Sequence, residues 1–241
     1  TLSSVFSPAQ LNQTLQLSAD HFESGLLIND GRGNFTWRAL PRLAQASPGF
    51  GVVTTDMNGD GNTDLHCVQN FFTREPGTGL WRGGIGFSGS FDNGGHFHVT
   101  PFAQSGFLVD GDGKGLTVCD FDEDGWPDLV ATQNNQRMLA FKNNHPTSAK
   151  HPLRLQLQGL KNNPTGVGSR VTVSFVKGGI KAQELYAGSG YLSQSSATMY
   201  LAAPEHLDGI EIHWPDGAQS EASASDHKQH LLVIKHPELA D

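Results

Sequence analysis

The fold is decided by the stretch Asp56-Met57-Asn58-Gly59-Asp60-Gly61-Asn62-Thr63-Asp64, which is followed by Leu65. The chain repeats this pattern as Asp120-Phe121-Asp122-Glu123-Asp124-Gly125-Trp126-Pro127-Asp128, which is followed by Leu129. Both copies read D-x-[DN]-x-D-G-x-x-D-L. Side-chain oxygens at positions 1, 3, 5 and 9, with a turn-forming glycine at position 6, suit a hard cation that takes roughly six to eight oxygen ligands. The sequence therefore predicts two Ca²⁺ sites, since Mg²⁺ demands a tighter octahedral geometry and a dication relieves the repulsion among the clustered carboxylates.

The residues around both loops are typical of β-strands. Short β-branched runs flank the loops at residues 51–55, 65–69, 116–119 and 129–133. Each loop is therefore expected to join two strands. An EF-hand opens with the same pattern but needs helices on both sides and a glutamate at position 12. That position holds Cys67 and Ala131, which argues against an EF-hand. An Asp/Gly-rich hairpin turn without metal is the remaining alternative.

Composition favours a β-rich protein. The 241 residues include 29 glycines, with 9% aromatic and 17% charged residues, which is typical of many short strands and tight turns. The formal net charge of −8 arises from 24 acidic and 16 basic residues. Seven of the 24 acidic residues lie in the two loops as ligand candidates, and no basic patch is present. A nucleic-acid partner is therefore not expected.

The chain carries no sign of a membrane span, because no run of 18 apolar residues exists. It begins at Thr1 without Met or a signal peptide, which fits a processed or excised segment. Calcium sites of extracellular modules bind at roughly 10⁻⁴–10⁻³ M, so they fill outside the cytosol. A secreted or periplasmic location is therefore expected. Cys67 and Cys119 are predicted to be free thiols, although a disulfide between them is possible.

A second pattern reveals an internal repeat. Asn29-Asp30-Gly31-Arg32-Gly33-Asn34-Phe35 predicts a hairpin turn, and Phe91-Asp92-Asn93-Gly94-Gly95-His96-Phe97 repeats that phrase. Phe35 and Phe97 are 62 residues apart, and Asp56 and Asp120 are 64 apart. Two markers with one period indicate repeated units. Each unit is expected to have four strands, which in the central unit lie near residues 50–56, 64–71, 79–86 and 96–102.

These features resemble the FG-GAP or VCBS-type repeats of integrin α-chain propellers and secreted bacterial proteins. The resemblance implies Ca²⁺ bound through the side chains of Asp56, Asn58, Asp60 and Asp64 and the carbonyl of Asn62. In the next repeat it implies the side chains of Asp120, Asp122, Asp124 and Asp128 and the carbonyl of Trp126. The similar stretch Asp110-Gly111-Asp112-Gly113 is followed by Lys114 and is predicted to be a plain turn.

The predicted fold class is all-β. Residues 1–145 are expected to form a partial β-propeller of about two to two and a half four-stranded blades, followed by a β-rich domain at 150–237. Propellers usually close with about four to eight blades, and open sheet edges promote association. We therefore expect the remaining blades of a longer protein, or another chain, to cover these edges.

Residues 143–148 read as a linker to the second segment. In that segment Leu153, Leu155 and Leu157 alternate with polar residues, as expected for a half-buried strand. The segment resembles the ASPIC/UnbV domain found at the C-terminus of secreted FG-GAP proteins. The similar stretches lie at residues 155–159, 163–171, 188–194 and 212–217. Residues 201–204 read LAAP, whereas the family usually has a Phe-Gly-Leu-Gly-like phrase. The resemblance transfers no catalytic residue.

Two functions remain open. The first is a non-catalytic, calcium-binding extracellular or periplasmic module for binding, adhesion or scaffolding, with a protein or glycan ligand. The second is a metal-dependent lyase or hydrolase on saccharide-like substrates, with its site in the cavity of a complete propeller. His96 and His98 alternate on one strand and could share a metal, but no third ligand accompanies them, so a solvated pair is expected. Ser193, Ser195 and Ser196 lack the context of a nucleophile elbow.

Overall fold

The computed structural model of the chain describes residues 2–15, 17–73, 79–92, 94–145 and 150–239. β-Strands dominate these residues, and the α-helices among them are the short α1 (Pro8–Asn12) and α2 (Phe102–Ser105). The predicted all-β class is therefore confirmed. Asn93 of the second hairpin and residues 146–149 of the predicted linker lie outside the described residues.

The N-terminal part contains three antiparallel sheets in chain order. A hairpin is formed by β1 (Gly25–Asn29) and β2 (Phe35–Ala39). The four-stranded sheet has the order β3 (Gly49–Thr55), β4 (Asp64–Gln69), β5 (Phe87–Phe91), β6 (Phe97–Thr100). The three-stranded sheet has the order β7 (Gly113–Cys119), β8 (Asp128–Gln133), β9 (Leu139–Phe141). Each acidic nonapeptide joins the first two strands of its sheet, as the sequence predicts.

The four-stranded and three-stranded sheets pack face to face, with β3 and β4 beside β7. Val53 and Val68 on one sheet and Leu116 and Leu129 on the other belong to a single apolar cluster. On the opposite face of β4, Leu65 and Cys67 belong to a second apolar cluster, together with Ala44, Phe87 and Phe97. β4 is therefore covered on both faces, as in the interior of a stack of sheets.

The predicted repeat is visible in the two hairpins. Asp30 and Asp92 occupy the same place in the β1–β2 and β5–β6 turns, and the Oδ1 of each accepts two hydrogen bonds from the turn backbone. The donors are Arg32 N (2.7 Å) and Asn34 N (3.2 Å) in the first turn, and Gly94 N (2.8 Å) and His96 N (2.9 Å) in the second. The same aspartate therefore shapes both turns.

The predicted position of the third strand of the central unit was wrong. The sequence suggested residues 79–86, but β5 spans Phe87–Phe91. Gly86 has φ +69°, and the Asn70 side chain bonds both Gly84 N (2.9 Å) and Gly84 O (2.8 Å) in place of a strand partner. Asn70 itself has φ +91°, so β4 ends at the residue before it, Gln69. Side-chain bonding to the backbone thus competes with the sheet in this segment.

The predicted plain turn at Asp110–Gly113 was also incomplete, because it holds a buried ion pair. Lys114 Nζ lies 2.6 Å from Asp112 Oδ1, and both side chains are buried. The amine also donates to Asn70 O at 2.6 Å and lies 3.4 Å from the centre of the Phe50 ring. Asp112 Oδ2 accepts from the Asn134 amide at 3.1 Å. This pair therefore ties the ends of β4 and β8 to the start of β7.

The C-terminal part is a sandwich of two sheets. The first sheet has β10 (Leu153–Gln158) between β13 (Met199–Leu201) and β16 (Leu231–Lys235). The second has the order β12 (Ile180–Glu184), β11 (Arg170–Phe175), β14 (Leu207–His213), β15 (Gln219–Ala222). The alternating leucines of β10 are buried as predicted and form one core with Val171, Ile210 and Ile212 of the facing sheet.

The buried Asp112–Lys114 pair predicts a large stability loss when one partner is removed. Lys114→Met leaves the Asp112 carboxylate buried and without its cation, which should lower the free energy of unfolding by about 3–5 kcal/mol. Lys177→Met, at an exposed lysine, should change it by less than about 0.5 kcal/mol. Chemical denaturation measures both variants. A double variant, Asp112→Asn with Lys114→Met, should lose less unfolding free energy than Lys114→Met alone. An equal or larger loss would contradict the interpretation of Asp112 and Lys114 as a buried ion pair.

Candidate functional site

Four hydrogen bonds recur at equivalent positions of the two nonapeptide loops. One runs from the amide of position 5 to the side chain of position 3, as Asp60 N–Asn58 (2.9 Å) and Asp124 N–Asp122 (3.3 Å). In each loop the carboxylate at position 9 accepts from the amide of position 2, position 1 accepts from position 6, and position 5 accepts from position 7. In the first loop the pairs are Met57 N–Asp64 (3.0 Å), Gly61 N–Asp56 (2.7 Å) and Asn62 N–Asp60 (2.7 Å). In the second they are Phe121 N–Asp128 (3.1 Å), Gly125 N–Asp120 (2.9 Å) and Trp126 N–Asp124 (3.0 Å). The repeated sequence therefore produces one loop geometry twice.

The glycine at position 6 is required by this geometry. Gly61 has φ +87° and Gly125 has φ +89°, a region that residues with a Cβ rarely adopt. Glycine at position 6 therefore allows the loop to turn between the two strands.

The second loop groups three carboxylates as a cation site requires. Oxygens of Asp120, Asp122 and Asp124 lie within 4.8 Å of one another. Asp120 Oδ1 is buried and has no hydrogen-bond partner among the described residues. A buried carboxylate oxygen without a partner is unfavourable, and an oxygen-seeking cation would satisfy it. These three residues therefore fit a Ca²⁺ ion.

Asp128, the fourth predicted carboxylate of this loop, is bound to backbone amides. Its Oδ1 accepts from Asn143 N at 2.8 Å, and its Oδ2 accepts from Phe121. Burial raises the pKa of Asp128. Trp126, whose carbonyl is the other predicted ligand, has a buried side chain.

A lysine stands beside the carboxylate group of the second loop. Lys142 Nζ binds Asp122 and lies 3.1 Å from Asp124 Oδ2. The hydrogen bond from Lys142 lowers the pKa of Asp122. The ammonium therefore supplies positive charge where carboxylates meet, and it is a competitor for any dication that binds them.

In the first loop backbone amides donate hydrogen bonds to both oxygens of the Asp56 carboxylate. Asp56 Oδ1 accepts from Gly59 N at 2.7 Å and Oδ2 accepts from Gly61. Burial raises the pKa of Asp64 to about 7, and repulsion from Asp56 and Asp60 adds to this rise. The carboxylates of the first loop lie farther apart than those of the second. Among the described residues, the group of Asp120, Asp122 and Asp124 is the one whose acidic oxygens lie within 4.8 Å of one another. Asn58, the remaining side-chain ligand candidate, accepts from Asp60 N at 2.9 Å.

The first loop also contacts the C-terminal sandwich, a contact that the sequence did not predict. Ala203 N donates to Gly59 O at 3.0 Å. Lys181 of the edge strand β12 donates to Gly61 O and reaches Thr63 Oγ1 at 3.4 Å. Burial lowers the pKa of Lys181, and the three loop carboxylates oppose this effect. The sandwich thus presents a lysine to the acidic loop.

The second loop contacts the same sandwich through aromatic rings and an arginine. Trp126 stacks on His145 at 4.1 Å between ring centres, and its other neighbour is His151 at 5.1 Å. Arg154 Nη1 lies 3.5 Å from Asp120 Oδ2. Both acidic loops therefore lie at the junction of the N-terminal sheets and the sandwich.

A serine-rich loop of the sandwich covers the free edge of β7. Backbone groups of Leu116 and Val118 are bonded by three serines. The contacts are Ser193 Oγ–Leu116 O (2.9 Å), Val118 N–Ser195 Oγ (3.1 Å) and Ser196 N–Val118 O (2.9 Å). The sequence predicted that remaining blades or another chain cover open edges; at this edge the same chain does so, as in other proteins that protect sheet edges.

Other predicted candidates occupy ordinary positions. His96 and His98 both contact the Asp92 carboxylate, at 3.3 and 2.9 Å, and both are exposed. Cys67 and Cys119 are free thiols, and Cys67 is buried.

The comparisons with known proteins concern both parts of the chain. Residues 159–240 match the family described as ASPIC and UnbV. The match begins directly after β10, although β10 supplies the central strand of one sheet of the sandwich. The chain is also similar to cartilage acidic protein 1 of Xenopus tropicalis, with 26% identity over 207 residues, covering 78% of this chain and 29% of that protein.

Two further relatives carry the same name. Cartilage acidic protein 1 of Homo sapiens is 27% identical over 228 residues, covering 86% of this chain and 31% of that protein. The protein of Mus musculus is 27% identical over 148 residues, covering 55% and 21%. The chain thus spans less than a third of the length of these relatives. No helix within the described ranges is long and apolar enough to cross a membrane.

The contact of the first loop with the sandwich predicts the effect of a single methyl group. A Cβ at Gly59 would lie 2.3 Å from Lys150 O, whereas a Cβ at Gly31 meets nothing within 4 Å. Both glycines have positive φ, +74° and +78°. Gly31→Ala should therefore lower the free energy of unfolding by about 1–2 kcal/mol, because of backbone strain alone. Gly59→Ala should cost about 1–3 kcal/mol more, because the added methyl overpacks the junction.

Chemical denaturation of the two variants measures this difference. Equal losses for Gly59→Ala and Gly31→Ala would show that the first loop does not press on the sandwich.

Proposed function

We propose that the chain is a calcium-stabilised binding or scaffold module of a secreted or periplasmic protein. The observation that carries the proposal is the carboxylate group of Asp120, Asp122 and Asp124 with its buried, unpartnered oxygen. The recurrence of the same four hydrogen bonds in the first loop supports a second Ca²⁺ site there. The name of the similar proteins, cartilage acidic protein 1, associates them with an extracellular tissue and supports the location.

We further propose that the N-terminal sheets are consecutive FG-GAP blades of a partial propeller. The β1–β2 hairpin corresponds to β5–β6 in its turn geometry, and β3–β4 corresponds to β7–β8 in its acidic loop. On this interpretation β3 and β7 are the innermost strands of adjacent blades. The serine-rich loop of the sandwich then lies on the side of the central channel.

The proposed ligands of the first site are Asp56, Asn58, Asp60 and Asp64 with the Asn62 carbonyl. Those of the second site are Asp120, Asp122, Asp124 and Asp128 with the Trp126 carbonyl. A dication at either loop neutralises carboxylates that otherwise repel one another beside the sandwich. Metal binding would therefore stabilise the strands that each loop joins and also the junction of the two parts of the chain. A protein or glycan ligand would bind the surface that this junction holds in place.

Calcium should raise the melting temperature of the chain. If each site binds with a Kd of roughly 10⁻⁴–10⁻³ M, about 10 mM Ca²⁺ stabilises the folded state by about 1.4–2.7 kcal/mol per site. For a chain of this length such a gain raises Tm by roughly 3–10 °C per site. Differential scanning calorimetry in excess chelator and then in Ca²⁺ measures the shift. An unchanged Tm would contradict the proposal, and Mg²⁺ at the same concentration serves as the control ion.

Single variants should separate the two sites. Asp60→Asn and Asp124→Asn each remove one carboxylate charge at position 5 but keep the oxygen that accepts the loop hydrogen bond. Each variant should weaken its own site by about tenfold or more, because fewer charged ligands lower calcium affinity. Isothermal titration calorimetry should then show two sites in the unmodified chain and one strong site in each variant. Asp20→Asn, at an exposed aspartate outside the loops, is the matched control and should leave both sites unchanged.

A further inference from the structure

A cavity of about 510 Å³ lies between the four-stranded and three-stranded sheets, away from the sandwich. Its volume falls within the range of roughly 300–1,000 Å³ that is typical of small-molecule sites. One wall is formed by β4, β5 and β6, and the other by Leu129 of β8 and Phe141 of β9. α2 and the residues after it complete the cavity.

A buried histidine without a partner lines this cavity. His66 of β4 is 5% exposed, and neither of its ring nitrogens has a hydrogen-bond partner among the described residues. Its ring meets the Phe107 ring edge-on, with the centres 5.8 Å apart. An imidazole buried without a hydrogen bond is unfavourable. His66 is among the residues that line the cavity, so a ligand in the cavity would lie beside this ring.

Hydroxyl groups extend the polar wall from this histidine across β5 and β6. Ser88 lies directly opposite His66 in the β4–β5 pairing, and Thr100 lies directly opposite Ser88 in the β5–β6 pairing. Their side chains therefore point to the same face of the sheet. Ser90 and Gln104 also line the cavity. Each of these groups both donates and accepts hydrogen bonds.

The charged groups at the cavity are already engaged. Lys142 binds Asp122 and Asp124 of the second loop, and the Asp64 carboxylate accepts from Met57 N. The His66 ring has no charged or neutral hydrogen-bond partner among the described residues. The cavity therefore offers neutral hydrogen-bonding groups rather than a free charge for an ion.

The opposite wall is aromatic and aliphatic. Phe107 and Phe141 lie 4.9 Å apart between ring centres, and Leu129 lines the cavity beside them. A ligand must therefore present an apolar face to these rings and several hydroxyl groups to the other wall. Sugar rings combine an apolar C–H face with hydroxyls at their edges.

We propose that this cavity binds a neutral polyhydroxylated ligand of the size of a mono- or disaccharide, whose hydroxyl groups form hydrogen bonds with the His66 ring. His66, Ser88 and Thr100 lie outside the acidic loops, but Asn58 and Asp64 of the first loop also line the cavity. Probe binding is therefore measured both in Ca²⁺ and in excess chelator, so that a failure of this proposal is distinguished from a failure of calcium binding.

Saturation-transfer NMR on the complete chain tests this proposal with defined probes. The neutral probes are methyl β-glucopyranoside, N-acetylglucosamine and lactose, and glucuronate and glucosamine are their charged counterparts. At least one neutral probe should bind and should bind better than the charged counterparts. It should also shift the ¹⁵N resonances of the His66 ring, which reports contact directly in the unmodified protein.

Two phenylalanine variants locate the site. His66→Phe keeps a ring of similar size but removes both nitrogens. It should weaken the binding of the neutral probe by about tenfold or more. His96→Phe, at an exposed histidine of the hairpin turn, should leave binding unchanged. If His66→Phe does not fold, Ser88→Ala replaces it and should weaken binding by a similar factor.

Three results would overturn the proposal. The first is the absence of both saturation transfer and a His66 shift with every neutral probe. The second is full binding by a folded His66→Phe or Ser88→Ala variant. The third is a clear preference for a charged probe.

Discussion

The repulsion among clustered carboxylates constrains the whole structure. Each acidic loop packs several of them into nine residues, and each loop is pressed against a second folded unit, where water cannot screen the charges fully. The protein supplies three kinds of compensation: backbone amides, the lysines Lys142 and Lys181, and Arg154 of the sandwich. A dication would be a fourth, and the buried Oδ1 of Asp120 is a loop carboxylate oxygen that has no hydrogen-bond partner among the described residues. Charge compensation thus links the metal-site hypothesis to the contact between the two parts of the chain.

The same junction solves a second problem, the exposed edge of β7. The sandwich fills hydrogen-bonding positions along this strand with serine side chains and backbone rather than with another regular strand. Tyr200 of β13 packs into the apolar cluster between the two N-terminal sheets. The sandwich is therefore bound to the sheets by apolar, polar and charged contacts together, which favours a fixed rather than a loose arrangement.

The N-terminal sheets show two uses of polar residues between packed layers. Asp112 and Lys114 satisfy each other and hold three strand ends together. His66 lies on a face of β4 that packs against the neighbouring sheet, but no described residue satisfies its ring. A buried polar network with complete partners fixes one arrangement of the core, whereas a buried polar group without a partner needs an explanation, and for His66 we propose a ligand. This difference in hydrogen bonding separates the structural pair from the proposed binding site.

The sequence by itself determined the local geometry. Glycines at fixed positions, with aspartates that accept from nearby amides, were sufficient to predict the strand–loop–strand units and the repeated hairpins. The alternation in β10 likewise predicted a half-buried strand, because these features depend on residues a few positions apart. Only the tertiary structure decided the start of β5, the burial of Lys114, the orphaned ring of His66 and the contacts of both loops with the sandwich. Each of these depends on atoms that lie far apart in the chain, such as Asn70 and Gly84 or Asp120 and Arg154, and no local pattern records which distant partner a polar group will meet.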